Sequence, residues 1–310
     1  MKNVIITACD AKYGDFFIQH WLRSLQENIN LKKCDVVVLD YGFTQHQRDI
    51  IDTKGIIRKE CVRDGHVVII RFRDIAKFLE QNTYDQVLMC DSGDIIFQAD
   101  ITEVFNTYKN YLRASYDTTN VVFQAYINPL YFSSSLLLDL QKSLLKHRMI
   151  NAGVLVGPAD LFKKISYECY EMIDYKKHYG PDQVAIHYLL HKYGFKKMHE
   201  KFNCVVMCTT LSYVIKQGKF YDKKGKLIPI IHNAGKTTII RGIKNFGYGC
   251  EYNQPKIGHR VVIKPFHTFS RFIFDSKFKR KMYKKYSTYY QKYYVLIKHK
   301  VKSKSLFPKL

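Results

Sequence analysis

The chain up to residue 90 alternates between short apolar runs and amphipathic segments, and this alternation restricts the fold more than any other feature. The runs predict strands at 3–8, 35–39, 67–70 and 86–90, with helices between them at about 14–28, 45–53 and 73–82. Parallel strands need crossover connections long enough to hold a helix, so this order indicates a mainly parallel sheet. The sequence therefore predicts an α/β fold.

A second block continues the pattern, with a strand at 152–156, helices at 159–175 and 181–193, and a strand at 228–232. The segment 106–147 lies before this block and is rich in Tyr, Asn and Ser. It has no clear period until SSSLLLDLQKSLL, where a serine cap precedes a short helix. We interpret 106–147 as an insertion that covers a site or binds a substrate.

Two carboxylates stand out in the stretch MCDSGDIIFQADI, residues 89–101. Asp91 and Asp94 follow the predicted strand 86–90 and flank a Ser-Gly turn. Ligands of open α/β sheets collect at the carboxyl ends of the strands, and carboxylate oxygens suit Mg²⁺ or Mn²⁺. Such a cation neutralises the charge of a diphosphate. The alternative is an ordinary surface turn, because Asp, Ser and Gly are common turn residues.

The positive charge of the chain is concentrated at its C-terminal end. The formal net charge is +23, and residues 264–310 hold 14 Lys and Arg against one acid, Asp275. The smaller surplus in 1–263 suits a pocket for a polyanionic small molecule. We therefore predict an α/β domain over 1–263 and a basic, aromatic, helical tail over 264–310.

Aromatic residues in this tail recur at helical spacing among the lysines, as at Tyr283, Tyr286, Tyr290 and Tyr293. Tyrosine rings favour the bilayer interface, and lysines are attracted to anionic headgroups. We expect the helix around 278–298 to lie on an anionic membrane surface. A solvated basic helix packed on the domain is the alternative.

Cysteine usage and the chain start bear on the compartment. The eight cysteines are scattered without CxxC pairs, which indicates reduced thiols. The first residues show no secretion-signal pattern, and no stretch approaches the roughly 20 apolar residues of a membrane-spanning helix. We expect a cytoplasmic protein, peripheral on the cytoplasmic face of the inner membrane.

Five segments together carry a family resemblance. They are, in order, ITACDAKYGDFF, CDSGDIIFQADI, INAGVLVGP, GPDQVAIHYLL and IIHNAGK. This ordered set, spread over residues 3–236, resembles the family 8 glycosyltransferases, which include glycogenin and bacterial lipooligosaccharide galactosyltransferases. The resemblance implies a GT-A fold and metal-dependent transfer of a hexose, with retention at the anomeric carbon.

The same resemblance implies the substrates and the cofactor. The donor would be a nucleotide diphosphate sugar, UDP-glucose or UDP-galactose, and the metal Mn²⁺ or Mg²⁺. The acceptor would be a saccharide or lipid-linked saccharide in the synthesis of lipopolysaccharide, capsule or another surface glycan.

The metal site implied by the family comprises an Asp-x-Asp motif and a late histidine. Asp94 matches the second Asp of that motif, and His232 matches the histidine. This chain has Asp-Ser-Gly-Asp, so Asp91 lies one residue too early. Either the turn bulges to bring Asp91 back, or Asp94 and His232 hold the metal with less help.

The resemblance also places residues beside the donor sugar. Asn151 and Gly153 match the family's Asn-Ala-Gly turn, where Asn151 would offer an amide to sugar hydroxyls and Gly153 would allow close approach. Asp182 and Gln183 match the Asp-Gln pair at the reacting face. By itself, Asp182 would only help to start a helix after Pro181.

Positions that match the nucleotide-binding part of the family follow the first strand and lie in two basic segments. Those for the uracil and ribose are Thr7, Ala8, Asp10 and Tyr13. Those for the phosphates are Lys77, Gly235 and Lys236. Arg73 competes with Lys77 for its role.

Several alternatives stay open on the sequence. In a front-face reaction the departing phosphate takes the acceptor proton, whereas a double displacement would use Gln183 or Asp182. Other functions are a basic nucleic-acid-binding protein and an inactive GT-A-like membrane scaffold. We expect no specific nucleic-acid partner, because the charge is segregated in the tail and no recognition motif is present.

Overall fold

The computed structural model describes residues 2–117, 123–235, 241–251, 253–265 and 267–269. Its first strands are β1 Asn3–Cys9, β2 Cys34–Asp40, β3 Ile57–Glu60, β4 Gln86–Cys90, β5 Ile95–Phe97, β6 Leu112–Tyr116, β7 Ile150–Pro158 and β8 Phe195–Lys197. A seven-stranded sheet has the order β3-β2-β1-β4-β7-β6-β8. Strands β1 to β4 in it are parallel, and β7 runs antiparallel to β4 and β6. The predicted α/β fold with a mainly parallel sheet is confirmed.

Helices cover both faces of this sheet. They are Gln45–Asp52, Val67–Gln81, Thr102–Asn106, Ser134–Lys146, Ala159–Glu171 and Pro181–Tyr193, together with a first helix made of Ala11–Phe16, the π-helical Phe17–Leu22 and Arg23–Asn28. Side chains alternate along β1, so Val4 and Ile6 pack in one apolar cluster and Ile5 packs in the other. The two buried layers fix the sheet between its helices.

A smaller sheet links the end of β4 to the last third of the chain. Its order is β5-β12-β9, formed with β9 Cys204–Val205 and β12 Ile230–His232. The remaining strands form two pairs, β10 Tyr213–Lys216 with β11 Lys219–Asp222, and β13 Ile243–Lys244 with β14 Gln254–Pro255. Strand β12 runs antiparallel to β5 with His232 opposite Ile95. His232 is therefore carried next to the turn that follows β4.

The predicted strand at 67–70 is wrong, because Val67 begins a helix that ends at Gln81. A short run of β-branched residues also suits a buried helix, and here Ile69, Ile70 and Phe72 are buried. The third parallel strand is instead β3, with the sequence IRKE. It lies at the sheet edge and is mostly exposed, so it lacks the apolar pattern that predicts a strand.

The segment 106–147 is not an insertion throughout, because β6 lies within it and pairs with β7 and β8. Arg113 of β6 is buried and donates hydrogen bonds to the backbone carbonyls of Val104 and Thr107. The short helix predicted after the serines is present as Ser134–Lys146. The helix predicted at 181–193 is observed with the same bounds, whereas the one at 159–175 ends at Glu171.

The tail is described only as far as residue 269, so the helix predicted around 278–298 lies outside the described residues. Before it, a π-helical turn spans His259–Ile263. Within the described ranges, no helix combines the length and apolar character that crossing a bilayer requires. All eight cysteines are free thiols.

Candidate functional site

Two carboxylates and one imidazole converge at the carboxyl end of β4. Asp91 and Asp94 lie in the turn between β4 and β5, and His232 ends β12. One ligand atom from each lies within 4.8 Å of the others. His232 Nε2 is 3.4 Å from Asp94 Oδ1 and 3.7 Å from Asp91 Oδ2. The longer Asp-Ser-Gly-Asp turn therefore brings Asp91 back to the cluster.

Backbone contacts from three parts of the chain hold this turn. Ser92 Oγ donates to the carbonyl of Ala8 at 2.8 Å, and the backbone N–H of Asp91 donates to the carbonyl of Gly153 at 2.9 Å. Trp21 Nε1 donates to the carbonyl of Asp91 at 3.0 Å. Trp21 belongs to the π-helical segment, a distortion that is frequent at functional sites.

Gly153 makes room for the imidazole of His232. A Cβ at position 153 would fall well inside contact distance of Cε1 of His232. Gly153 is buried in β7, directly beside β4. Because β7 runs antiparallel to β4, its amino-terminal residues lie at the same sheet edge as the carboxyl end of β4. This antiparallel strand thus adds the Asn151 to Gly153 segment to the cluster.

The other imidazole nitrogen is held by an amide. His232 Nδ1 lies 3.0 Å from Oδ1 of Asn203, a buried residue. Asn203 Nδ2 donates to Asn151 Oδ1 at 2.9 Å and to Ser115 Oγ at 2.8 Å. Nδ2 of Asn151 donates to Asp117 Oδ2 at 3.1 Å. A buried row of polar groups thus contacts His232 on its Nδ1 side, away from the two carboxylates at Nε2.

A buried arginine connects the cluster to the helix Pro181–Tyr193. Arg71 pairs with Asp91, and its Nη2 lies 3.8 Å from Asp182 Oδ2. Burial alone would lower the pKa of Arg71, but Asp91 and Asp182 outweigh it and raise that pKa. Arg71 is therefore a permanent cation between the two carboxylates.

The pKa values of Asp94 and His232 shift in opposite directions. Burial disfavours the charged form of each, but each stabilises the charge of the other. The pKa of Asp94 is therefore held below its ordinary value, with further help from Arg241 and Arg71. The pKa of His232 is raised, with Asp91 adding to the effect of Asp94.

Asp182 and Gln183 lie in the first turn of the helix Pro181–Tyr193. Burial raises the pKa of Asp182 to about 6, Arg71 opposes this shift, and Asp91 adds to it. The amide Nε2 of Gln183 is buried and makes no hydrogen bond to any described residue. Gly180, at φ 115°, directly precedes the helix, and the ring of Tyr126 lies where a Cβ at position 180 would be. The Asp-Gln pair is thus fixed near the cluster through Arg71.

The cluster fits a divalent cation of the Mn²⁺ or Mg²⁺ type. Asp94 Oδ1 and His232 Nε2 are both buried, and neither makes a well-formed hydrogen bond within the described part of the chain. Buried polar atoms normally have a partner, so two such atoms facing each other suit a shared ligand. Carboxylate oxygens with one imidazole nitrogen favour Mn²⁺ over Mg²⁺.

The residues predicted to hold the base and ribose lie at the end of β1 and in the first helix. Asp10 pairs with Arg63 at 2.9 Å through Oδ2, while its buried Oδ1 makes no hydrogen bond in the described chain. The ring of Tyr13 lies where a Cβ of Gly93 would come within 2.6 Å. Thr7 is buried and donates to the carbonyl of Cys90 at 2.7 Å, so its hydroxyl holds the strands together. Of the matched positions, Asp10 has a polar atom left for a ligand.

Basic residues approach the cluster from positions other than the predicted Lys77. Lys77 is exposed, and it lies six residues after Arg71, about 120° away around the same helix. Arg73 pairs with Asp64 and Asp74 instead of the cluster. The basic residue of this helix that contacts the cluster is therefore Arg71.

In the loop after β12, Gly235 has φ 145°, and Arg241 Nε donates to its carbonyl at 3.1 Å. Arg241 Nη2 lies 3.6 Å from Asp94 Oδ2. Lys236 lies outside the described residues. Arg241 thus supplies a positive charge next to Asp94.

Sequence reasoning missed five residues that build the site, namely Arg71, Arg241, Asn203, Asp117 and Ser115. Arg71 was missed because the sequence predicted a strand at 67–70 and a helix only from about residue 73, whereas Arg71 lies within the helix Val67–Gln81. The others carry no local signal, because each contacts partners far away along the chain. Asn151 was predicted as a sugar ligand, yet both ends of its side-chain amide are engaged within the protein.

Comparison with solved structures identifies the fold. The apo structure of the bifunctional glycosyltransferase WbbM aligns with 87% of this chain at 14% identity and a TM-score of 0.52, and this chain spans 51% of WbbM. An active-site mutant of LgtC and the galactosyltransferase LgtC with donor and acceptor sugar analogues each align with 76% of this chain. The aligned shares of those LgtC chains are 89% and 88%, at 15% and 16% identity and TM-scores of 0.48 and 0.47.

No protein-family model matches the chain, and no curated protein sequence does. The architecture is the α/β fold of the GT-A glycosyltransferases, with its central, mostly parallel sheet of seven strands.

Proposed function

We propose that the protein is a metal-dependent glycosyltransferase that moves a hexose from a UDP-sugar to a saccharide acceptor with retention. The observation that carries the proposal is the convergence of Asp91, Asp94 and His232 beside the Arg71–Asp182 pair, at the sheet edge where α/β proteins bind ligands. The ordered motifs support the assignment of the chain to family 8. UDP-glucose and UDP-galactose are the proposed donors.

In this proposal Asp91, Asp94 and His232 would hold Mn²⁺, whose charge would offset that of the diphosphate and of the departing UDP. Arg71 keeps Asp91 oriented toward the cluster and limits the repulsion between the carboxylates of Asp91 and Asp182. Arg241 adds positive charge on the opposite side of Asp94. Asp10 and Tyr13 would receive the base and ribose, since Asp10 has a buried oxygen without a hydrogen bond in the described chain.

Asp182 and Gln183 are proposed to face the sugar. The carboxylate of Asp182 accepts hydrogen bonds from sugar hydroxyls, and Arg71 lowers the cost of keeping it charged in a buried position. Gln183 has a buried amide N–H₂ without a hydrogen bond in the described chain, which could be directed at the sugar. No strong base is needed if the departing phosphate oxygen takes the acceptor proton.

The proposal is tested by incubating the purified protein with a set of nucleotide sugars, with and without Mn²⁺, and measuring released nucleotide. Release from UDP-sugars that requires Mn²⁺ is expected. Asp182→Asn and Gln183→Ala should each lower turnover by orders of magnitude while UDP affinity stays nearly unchanged. Turnover within a few fold of wild type in both variants would remove these residues from the reaction. NMR of the product tests retention separately.

We also propose that the acceptor is lipid-linked and that the protein acts at an anionic membrane surface. In support, Val261, Val262 and Phe269 are more than half exposed just where the basic tail begins. Exposed apolar side chains next to lysines favour the bilayer interface. Removing residues 264–310 should abolish cosedimentation with vesicles that contain anionic phospholipid while UDP-sugar hydrolysis remains. Undiminished binding of the truncated protein would refute the tail as the anchor.

A further inference from the structure

We infer that Asp117 fixes the tautomer of His232 through Asn151 and Asn203, so that Nε2 presents a lone pair to the metal cluster. Asp117 is then a positioning residue, since it does not touch the cluster and acts through two amides. The role in metal binding rests on the proposed function. The tautomer itself does not, because it is a property of the metal-free protein.

The four residues form one continuous path of hydrogen bonds. Nδ2 of Asn151 donates to Asp117 Oδ2 at 3.1 Å, Nδ2 of Asn203 donates to Asn151 Oδ1 at 2.9 Å, and Oδ1 of Asn203 lies 3.0 Å from His232 Nδ1. All four side chains are buried, none more than 4% exposed. Water therefore cannot substitute freely for a partner in this path.

The direction of the path is set at its Asp117 end. A carboxylate only accepts hydrogen bonds, so Asn151 must turn its Nδ2 toward Asp117 and its Oδ1 the other way. The backbone N–H of Gly153 donates to the same Oδ1 at 3.0 Å and favours the same orientation. Asn203 must then donate its Nδ2 to Asn151, and only its Oδ1 is left for the imidazole. An oxygen at this position accepts from Nδ1, so the neutral ring carries its proton there.

Without this path, the carboxylates of the cluster would favour the other tautomer, with the proton on Nε2. The carboxylates of Asp94 and Asp91 lie 3.4 and 3.7 Å from Nε2, and an Nε2–H would be attracted to both. That tautomer would place a proton where a cation must bind, because a metal needs the lone pair of a deprotonated nitrogen. The path supplies a competing acceptor at Nδ1. A hydrogen bond at one ring nitrogen commonly decides which nitrogen binds a metal.

Ser115 offers a matched control. Its hydroxyl accepts the second hydrogen bond of Asn203 Nδ2 at 2.8 Å. Ser115 therefore contacts the same amide but is not part of the hydrogen-bond path from Asp117 to His232. Ser115→Ala should disturb packing about as much as a change within the path, yet leave the tautomer of His232 unchanged.

The direct test is NMR of metal-free protein with ¹⁵N-labelled histidine, at a pH above the raised pKa of His232. Two-bond ¹⁵N–¹H correlations distinguish the tautomers, and the spectrum of His232→Gln identifies the His232 signals. We expect the Nδ1–H tautomer in the wild type and in Ser115→Ala. A predominant Nε2–H tautomer in the wild type would overturn the inference without any variant.

Asp117→Asn tests the source of the direction, because an amide of the same shape can present either an oxygen or an N–H to Asn151. We expect a substantial Nε2–H population and a loss of Mn²⁺ affinity of at least about tenfold, measured by electron paramagnetic resonance titration. Adding Asn203→Asp places a group that only accepts next to the imidazole. This double variant should recover the Nδ1–H tautomer, which a purely structural role of Asp117 does not predict.

An unchanged tautomer and an unchanged Mn²⁺ affinity in Asp117→Asn would overturn the inference while leaving the proposed function intact. A second outcome is also distinguishable. If the wild type shows the Nδ1–H tautomer and Asp117→Asn loses it, but the protein releases no nucleotide from any UDP-sugar, the inference stands and the proposed function is refuted. If Asp117→Asn does not fold, the wild-type spectrum decides together with Asn203→Asp alone, which should keep Nδ1–H.

Discussion

Two sets of histidines in the described part of the chain differ in what surrounds them. His232 faces two carboxylates, which raise its pKa. His187 and His191 lie on the helix Pro181–Tyr193, where His191 stacks on His147 at 3.9 Å between ring centroids. Burial, and then the proximity of His191, lowers the pKa of His187 to about 3. Burial, and then the proximity of His147, lowers the pKa of His191 to about 4. The pKa of the same side chain is thus raised in one place and lowered in the other.

The difference teaches that burial alone does not make a functional histidine. Among the residues the structure describes, only Asp91, Asp94 and His232 bring three ligand atoms within 4.8 Å of one another. The imidazoles around His191 meet other rings, including Phe195, and serve packing between helices. Carboxylates next to the ring separate the two cases, and four experiments test that distinction.

The largest effect is expected from Asp94→Asn, which removes the carboxylate that most raises the pKa of His232. Turnover should fall on the order of a thousandfold, because several kcal/mol of charge stabilisation depend on the cation. Binding of UDP should weaken only when Mn²⁺ is present, as measured by calorimetry. Asp160→Asn, at a fully exposed carboxylate, is the control. Equal UDP affinity of Asp94→Asn and wild type with Mn²⁺ present would remove Asp94 from the metal site.

His232→Gln and His191→Gln compare the two groups directly. The first change removes a proposed metal ligand and should lower Mn²⁺ affinity by about a hundredfold, somewhat less than the loss of a carboxylate. The second should leave that affinity unchanged, because His191 packs against His147 and Phe195. Both affinities are measured by titration of the Mn²⁺ resonance signal. Equal losses in the two variants would abolish the distinction.

Gly153→Ala keeps every ligand but places a methyl group against the His232 ring. The ring must shift, and Mn²⁺ affinity should fall by about tenfold, in the range known for disturbed outer-shell partners. Gly258→Ala is the control, because a Cβ there meets nothing within 4 Å and its φ of −58° suits alanine. If Gly153→Ala binds Mn²⁺ as tightly as Gly258→Ala, the fit of the ring against β7 is irrelevant to the metal.

The smallest expected effect concerns the free energy of unfolding, measured with denaturant in the absence of metal. His187 and His232 should make it depend on pH in opposite directions. His187 binds a proton more readily in the unfolded protein than in the folded protein, because its pKa is lowered by folding. The free energy of unfolding should therefore fall as pH drops from about 6.5 toward 4. His187→Leu should reduce this slope, by at most about 1.4 kcal/mol per pH unit. The raised pKa of His232 instead gives stability that is present below pH 6.5 and lost as pH rises through the folded pKa. His232→Gln should remove that loss, and identical slopes in both variants would contradict the assignment.

Much of the sheet could be predicted because its strands are locally encoded. Strand β4 and the helix Pro181–Tyr193 have the predicted bounds, since apolar spacing and the Gly-Pro start are properties of consecutive residues. Strand β3 could not be predicted, because a mostly exposed edge strand needs no apolar face. The run at 67–70 misled because tertiary burial suits its residues in either conformation.

The site divides in the same way. Asp91, Asp94 and His232 were predicted from motifs, and the structure brings them together. Arg71 contacts Asp91 whereas the predicted Lys77 is exposed, and Arg241 lies next to Asp94. The packing of a helix and a loop decides which basic residues lie there. Asn203 reaches its partners from 29 and 52 residues away. Such contacts follow from topology, which a single sequence does not display.

The pairing of β5 with β12 also governs when the site can form during synthesis. Asp94 and its neighbours leave the ribosome before His232, which lies 138 residues further along the chain. Domains fold as their residues emerge, so the parallel strands can pair while the histidine is still missing. The nascent protein would carry the Arg71–Asp91 ion pair for this period and have no imidazole to complete the proposed metal site. Closing the small sheet would then couple the last step of folding to the first possibility of binding a cation.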